Sequence, residues 1–149
     1  MSRGYFAIGI YQPKFEINVG TLWRTANLYC ASMLFTIGKR YTPNKSDKMS
    51  SDKHIPLVHF NNIEHFLEAN PLNIPIIGIE MDQRARVLHK FNHPESAWYL
   101  LGAEDDGLPK EVINELDHVV QIPTLKDYSM NVSVAGSIVL YDRFIRGQK

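Results

Sequence analysis

The sequence predicts an α/β fold with a mostly parallel sheet and helices on both of its faces. Short, continuous runs of apolar residues alternate along the chain with longer stretches in which apolar residues recur every three or four positions, as in a helix. Continuous apolar runs are typical of strands buried on both faces, and parallel strands need helical crossovers to connect them. No repeat or linker divides the 149 residues, so we expect residues 1–149 to form one domain.

The predicted elements follow from these patterns in chain order. Apolar runs predict strands at 6–11, 33–37, 56–60, 74–80, 97–101 and 119–122. Helical spacing predicts helices at about 21–31, 63–69, 85–91, 110–116 and 132–146. Pro109 precedes the fourth helix, where a proline fits the first turn. The polar stretch 39–55 has no periodicity and is predicted to be a long loop, a feature that is often functional in a small domain.

Composition and charge exclude some classes of protein. No apolar run approaches the roughly 20 residues that span a bilayer, so we expect no membrane partner. The only cysteine, Cys30, cannot form an internal disulfide, and this favours the reducing cytoplasm. The formal net charge is zero, which counts against a nucleic-acid partner. The predicted loop is nevertheless locally basic. Such a segment is either a phosphate-binding patch or a solvated surface. It contains five basic residues and two acidic ones, Lys39, Arg40, Lys45, Lys48 and Lys53 against Asp47 and Asp52.

Three segments carry residue types that suit chemistry. The first, residues 18–25, reads NVGTLWRT at a predicted strand-to-helix junction. Asn18 would satisfy backbone groups in the loop there, and Gly20 would allow a tight turn. Arg24 is then expected near the helix N-terminus, where a guanidinium fork would hold a phosphate. On spacing alone, a surface arginine on an ordinary helix is the favoured interpretation.

The second segment, residues 101–108, reads LGAEDDGL and follows a predicted buried strand. Ligands of α/β folds bind at the carboxyl ends of strands, so this position suits a site. The segment is neither a dinucleotide G-x-G-x-x-G nor a phosphate-binding P-loop. Its three carboxylates lack the spacing of a calcium loop, so an ordinary acidic turn remains the alternative.

The third segment contains Ile122-Pro123 and, after a short interval, SMNVSVA at residues 129–135. Ser129 or Asn131 is placed to cap the last predicted helix. That helix has a face of small apolar residues, Val132, Ala135, Gly136 and Val139. Such a face would pack closely against another element or another subunit.

Together, in this order, the segments resemble the three motifs of the SpoU family of RNA methyltransferases, in the SPOUT superfamily. They match N-x-G-x-x-x-R-T, then G-x-E-x-x-G-L, then I-P followed by S-x-N-x-S. The matching positions are Asn18, Gly20, Arg24, Thr25, Gly102, Glu104, Gly107, Leu108, Ile122, Pro123, Ser129, Asn131 and Ser133.

The resemblance implies a fold, a donor and an acceptor. The C-terminal part of the sheet domain would be threaded as a trefoil knot, with S-adenosylmethionine bound in it. The donor pocket would be lined by Ile79, Leu101, Gly102, Ile122 and Met130. Arg24 would be the principal catalytic residue, with Asn18, Glu104, Ser129 and Asn131 orienting it and the ribose. No metal is implied, and the six histidines (54, 59, 65, 89, 93 and 118) show no ligand spacing.

The reaction implied is methylation of a ribose 2'-hydroxyl of RNA. Short members of the family act on transfer RNA as dimers, so we expect a homodimer and a transfer RNA acceptor, with the anticodon loop favoured over ribosomal RNA. Arg143 and Arg146 are expected to contact phosphates beside the basic loop. Two other classes remain as alternatives, a catalytically idle knotted RNA-binding protein and a small-molecule binder of the flavodoxin-like type.

Overall fold

A computed structural model describes residues 4–42 and 55–147. Its strands are β1 (Phe6–Tyr11), β2 (Leu34–Ile37), β3 (Leu57–Phe60), β4 (Ile76–Ile79), β5 (Arg86–Val87), β6 (Ala97–Leu101) and β7 (His118–Gln121). They form one sheet in the order β3-β2-β1-β6-β4-β7-β5, and every pairing between these strands is parallel. The predicted parallel sheet is therefore confirmed.

In the described ranges, four α-helices cover the sheet: α1 (Glu16–Leu28), α2 (Ile63–Glu68), α3 (Lys110–Ile113) and α4 (Val132–Arg146). Alternate residues of each strand point to opposite faces. Thus Phe6 and Ile8 pack with α1 and α4, whereas Ala7 packs with α2 and α3. Helices on both faces are confirmed. Among the described helices, none has the length and apolar character to cross a membrane.

Two predicted elements differ most from the structure, and most of the others have bounds that are shifted by one to three residues. Helix α1 begins at Glu16 rather than near residue 21, so Asn18 and Gly20 lie inside a helix and not in a turn. Asparagine and glycine have low helix propensity, but burial of this side of the helix overrides it. The predicted helix 85–91 is instead strand β5, which pairs with β7, followed by a 3-10 turn at Leu88–Lys90. The basic stretch predicted as a loop lies mostly outside the described residues.

The small face of α4 packs inside the chain and not against a second subunit. A β-carbon added to Gly136 would lie 2.6 Å from Leu22 Cδ1 of α1 and 3.0 Å from Leu101 Cδ1 of β6. The absence of a side chain at this position lets the two helices and the sheet approach closely. Of the two partners that the sequence left open for this face, another element of the chain and another subunit, the structure shows the first.

The C-terminal end of α4 is bound to the segment before β6. Arg143 donates hydrogen bonds to the backbone oxygens of Pro94 and Glu95, at 2.7 and 2.6 Å. The guanidinium of Arg146 donates to the backbone oxygens of His89 and Phe91. Both guanidinium groups serve the fold, so the prediction that they contact phosphates is not supported.

Candidate active site

A cavity of about 510 Å³ opens at the carboxyl edge of the sheet. Its walls are the segments that follow β4, β6 and β7, with the first turns of α3 and α4. Ligands of open α/β sheets bind at this edge, and the volume lies within the usual range for small-molecule sites. The fold therefore provides a pocket where the second and third sequence segments meet.

The residues predicted to hold a methyl donor all line this cavity. They are Ile79, Leu101, Gly102, Ile122 and Met130. Ile79 and Leu101 end their strands and are almost fully buried, so they form the apolar floor. Ile122 and Met130 are partly buried and pack against the same core.

A tight turn between Gly102 and Leu108 forms one wall. A β-carbon on Gly102 would lie 2.3 Å from the carbonyl carbon of Gly107, so only glycine fits there without moving the backbone. Gly107 has a φ of +64°, in the left-handed region that favours glycine. The turn is closed by a hydrogen bond of 2.9 Å from the amide of Gly107 to the oxygen of Ala103.

Glu80, which the sequence analysis did not single out, holds this turn in place. Its Oε2 accepts a hydrogen bond of 2.7 Å from the amide of Leu108, and its Oε1 accepts one of 2.9 Å from Met81. Glu80 is the last residue of the predicted strand 74–80, at the edge where ligands bind, but nothing in the local sequence indicated that its carboxylate bonds to this turn.

Hydrogen bonds join the three sequence segments beside the cavity. The amide nitrogen of Asn18 donates to Glu104 Oε1 at 2.9 Å, and that of Asn131 donates to Asn18 Oδ1 at 3.1 Å. Asn131 Oδ1 in turn accepts from the amide and hydroxyl of Ser133, at 2.9 and 2.6 Å, and so caps α4. Asn18 is buried and makes the central link of this chain.

Glu104 is held as a carboxylate by this arrangement. Burial alone would raise the pKa of Glu104, but hydrogen bonds from Asn18 and from the backbone amides of Lys14 and Phe15 outweigh it, so the pKa lies below its ordinary value. The amide of Lys14 donates to Glu104 Oε2 at 3.0 Å. The Lys14 ammonium also pairs with the neighbouring Asp105. The loop before α1 is thereby attached to the acidic turn.

Arg24 lies apart from this chain of hydrogen bonds. It is the ninth residue of α1, away from the helix N-terminus where it was expected, and its side chain is exposed. Within the described residues it has no hydrogen-bond or ion-pair partner. Asn18, Glu104 and Asn131 bond to one another and not to Arg24. Ser129 is exposed and lines the cavity.

The family model described as "SpoU rRNA Methylase family" matches residues 5–141. The chain belongs to this family. The match overturns the flavodoxin-like alternative. Mouse tRNA (guanosine(18)-2'-O)-methyltransferase TARBP1 is 26% identical over 84% of this chain and 8% of its own length. The 23S rRNA (guanosine-2'-O-)-methyltransferase RlmB of Neisseria meningitidis serogroup B is 34% identical over 58% of this chain and 35% of its own length. This chain thus spans about a third or less of these curated relatives.

Solved structures share the fold of this SpoU-family chain. An AdoMet-bound rRNA methyltransferase from Sinorhizobium meliloti superposes with a TM-score of 0.86 at 21% identity, over 96% of this chain and 57% of that one. A protein studied for "2-OH methylation of C/U34 on tRNA" superposes with a TM-score of 0.84 at 23% identity, over 98% of both chains. The Streptomyces viridochromogenes SpoU methyltransferase AviRb, in complex with AdoMet, has a TM-score of 0.82 at 21% identity, over 97% of this chain and 58% of that one. The C-terminal knot expected from the resemblance stays a prediction.

The described part of the chain offers no group of three or more histidine, cysteine or acidic side chains that could hold a metal ion. Its polar site residues are amides, hydroxyls and a guanidinium, together with Glu80 and Glu104, whose carboxylates accept hydrogen bonds from backbone amides or from Asn18. These groups suit binding and orientation of an organic ligand.

Proposed function

We propose that this chain transfers the methyl group of S-adenosylmethionine to a ribose 2'-hydroxyl of RNA. The observation that carries the proposal is the hydrogen-bonded chain Glu104–Asn18–Asn131, which joins all three motif segments at the edge of one cavity. The same proposal takes residues 1–149 as one SpoU-type domain, supported by the single continuous sheet.

The cavity suits an adenosyl ligand. Ile79, Leu101, Ile122 and Met130 offer apolar surface to a purine, and the turn at Gly102 presents backbone atoms without a side chain. Backbone amides and carbonyls are the groups that read the edge of a base in such pockets. S-adenosylmethionine, when bound, would supply a methyl group activated by a positively charged sulfur.

Arg24 is the residue that we propose acts on the acceptor. A ribose hydroxyl is a poor acid, so its attack is assisted by any group that aligns it and stabilises the developing alkoxide charge. Arginine is effectively always protonated and therefore suits charge stabilisation better than proton abstraction. Its fork also fits an RNA phosphate. Asn18, Glu104 and Asn131 support the motif segments, and Ser129 is left to contact the ribose.

Transfer RNA is the acceptor that we favour, with the anticodon loop as its target region. Nucleotides in loops are partly unstacked and are rotated into a site at small cost, unlike those in an A-form duplex. The structural neighbour that matches over the whole of both chains concerns C/U34 of tRNA. Ribosomal RNA is the second candidate, because relatives 28% to 34% identical act on 23S rRNA. We also propose a cytoplasmic location, where transfer RNA and ribosomal RNA function.

A homodimer would complete the site. The exposed sides of the two packed helices α1 and α4, here the α1/α4 face, carry apolar side chains that are all at least 45% exposed: Ile17 and Leu28 of α1, and Val134, Tyr141 and Ile145 of α4. Arg24 lies on the same side of α1 as Ile17 and Leu28, at helical spacing. A second copy on this face would bury the apolar side chains and bring Arg24 to the subunit boundary, where one RNA strand would contact both chains.

Donor binding is the first test of this proposal. Calorimetric titration with S-adenosylmethionine or S-adenosylhomocysteine, in the presence of EDTA, should give saturable binding near one site per chain. If neither compound gives heat at millimolar concentration, the donor assignment is wrong.

A further inference from the structure

The mouth of the cavity is strongly acidic. Two lysines, Lys110 and Lys126, line it together with Glu80, Asp82, Glu104, Asp105, Asp106 and Asp127. An RNA strand is a polyanion, and contacts with its phosphates need cationic groups. Phosphate binding therefore does not account for how a target nucleotide is held at this mouth. An uncharged part of the nucleotide must make the contact.

Tyr128 is placed to make an uncharged contact. It lines the cavity between Asp127 and Ser129, and 76% of its surface is exposed. Within the described residues its hydroxyl has no hydrogen-bond partner and its ring has no aromatic neighbour. The ring is thus a flat, accessible surface beside the predicted donor pocket, next to the serine that is expected to meet the ribose.

We propose that Tyr128 stacks on the nucleobase of the nucleotide whose ribose is methylated. This inference rests on the proposed function and names how its acceptor is held. A base attached to a ribose at the cavity lies within a few ångströms of the rim, and every base offers a flat face to an aromatic ring. Stacking of a base on an aromatic side chain strengthens the binding of single-stranded nucleic acid by about 1–3 kcal/mol per base, and it tolerates any base sequence.

A nearby residue provides a matched control. Leu125 lies three residues before Tyr128 in the same segment between β7 and α4, and it is fully exposed. It is large and apolar but not flat, and it is not part of the cavity wall. A general effect of apolar surface on folding or RNA binding would involve both residues, whereas stacking at the cavity would involve Tyr128 alone.

The kinetic test compares Tyr128→Ala, Tyr128→Leu, Tyr128→Phe and Leu125→Ala, with transfer RNA or ribosomal RNA as methyl acceptor. Loss of the ring should lower kcat/KM for RNA by roughly five- to a hundredfold, from the energy of one stacked base. Phenylalanine should restore turnover and leucine should not. Affinity for S-adenosylhomocysteine, measured by calorimetry, should be the same in all four variants. Equal turnover of Tyr128→Ala and Leu125→Ala would overturn the inference.

A second readout does not depend on turnover. The native tryptophans Trp23 and Trp98 are buried, at 4% and 5% exposure. Acrylamide quenching of the fluorescence of an exposed indole, introduced by Tyr128→Trp, therefore reports on the surroundings of position 128. In protein loaded with S-adenosylhomocysteine, RNA should quench this indole and shield it from acrylamide, whereas the indole of Leu125→Trp should stay accessible.

The outcomes separate the inference from the function on which it rests. Methyl transfer by the wild type without RNA-dependent shielding of the Tyr128→Trp indole overturns the stacking role and leaves the function standing. Shielding without RNA that depends on protein concentration assigns Tyr128 to a subunit interface and also overturns it. Absence of donor binding by the wild type overturns the function and the inference together.

Discussion

At the scale of single residues, Gly102 is the position where the candidate site tolerates least change. A methyl group there would meet the backbone of Gly107 and Leu108, at 2.3 and 2.5 Å, and backbone cannot rotate away. Overpacking of this kind costs about 1–3 kcal/mol. We expect Gly102→Ala to lower the free energy of unfolding by this amount and to weaken donor binding. Urea denaturation and calorimetry measure the two effects.

Gly136 supplies the control for this prediction. A β-carbon there meets only the side-chain ends of Leu22 and Leu101. The gain in helix propensity, about 1 kcal/mol, offsets part of the strain. Gly136→Ala should therefore be much milder than Gly102→Ala. Equal donor affinity in the wild type and Gly102→Ala would contradict the assigned role of the turn.

The sequence predicted some of these residues and not others. Motif positions such as Gly102 and Asn131 were recognisable because they match the SpoU motifs in residue type and spacing. Glu80 and Lys14 were missed because each acts by bonding to a distant part of the chain, Leu108 and Glu104 respectively. Such pairings depend on which loops meet at the sheet edge, and nothing local in the sequence reports that.

At the scale of elements, α4 is fastened to the sheet by a polar cluster around His93. Its Nε2 lies 2.7 Å from Asp142 Oδ2, and its Nδ1 lies 2.7 Å from the hydroxyl of Tyr99, which also accepts from Arg143. A neutral imidazole that donates to Asp142 and accepts from Tyr99 satisfies every group. Burial lowers the pKa of His93 and outweighs the opposing influence of Asp142, so the folded protein favours this neutral form.

The cluster predicts a loss of stability in mild acid. Below the unfolded pKa of 6.5, the unfolded chain takes up a proton that folded His93 resists, so the free energy of unfolding falls as the pH falls. Urea denaturation between about pH 8 and pH 5 should show this slope in the wild type and a smaller slope in His93→Gln. His89→Gln, which changes an exposed histidine outside this cluster, is the control for the substitution itself. Identical slopes in the wild type and His93→Gln would contradict the assignment.

Element boundaries show where local patterns were insufficient. Strand β6 and helix α4 have the predicted bounds because their apolar patterns are strong and their ends are marked by Gly102 and the cap Asn131. Helix α1 was started too late, because its first turns contain residues that favour turns in isolation. Strand β5 was read as helix because only two residues pair, and that pairing depends on β7 lying beside them.

At the scale of the whole molecule, the α1/α4 face predicts association. Tyr141, 54% exposed, lies between Val134 and Ile145 along α4. Burying a charge there on association is costly, so Tyr141→Glu should convert a dimer into a monomer of 17.1 kDa. Leu72→Glu changes an even more exposed apolar residue outside both helices and should leave the dimer intact. Sedimentation velocity distinguishes the two species. Wild-type protein that sediments only at 17.1 kDa at micromolar concentration would contradict the proposed assembly.

The order of strands in the sheet is also a property of the whole molecule. Alternating apolar runs and helices indicated a parallel sheet, but not that β6 lies between β1 and β4. That order brings the second and third segments together at one edge and makes the cavity. The strand order arises from pairing between distant parts of the chain, and the periodicity of the sequence does not report such pairing.

A single assay of methyl transfer tests whether the chain methylates ribose in RNA through Arg24, as we propose. The protein is incubated with labelled S-adenosylmethionine and either transfer RNA or ribosomal RNA, and the RNA is digested to nucleosides and analysed by mass spectrometry. We expect label in a 2'-O-methylnucleoside with the wild type, and none with Arg24→Ala although that variant still binds the donor. Arg24→Lys should also be poor, because an ammonium lacks the bidentate fork. Donor binding without methyl transfer to either RNA, label on a base, or near wild-type transfer by Arg24→Lys would contradict this proposal.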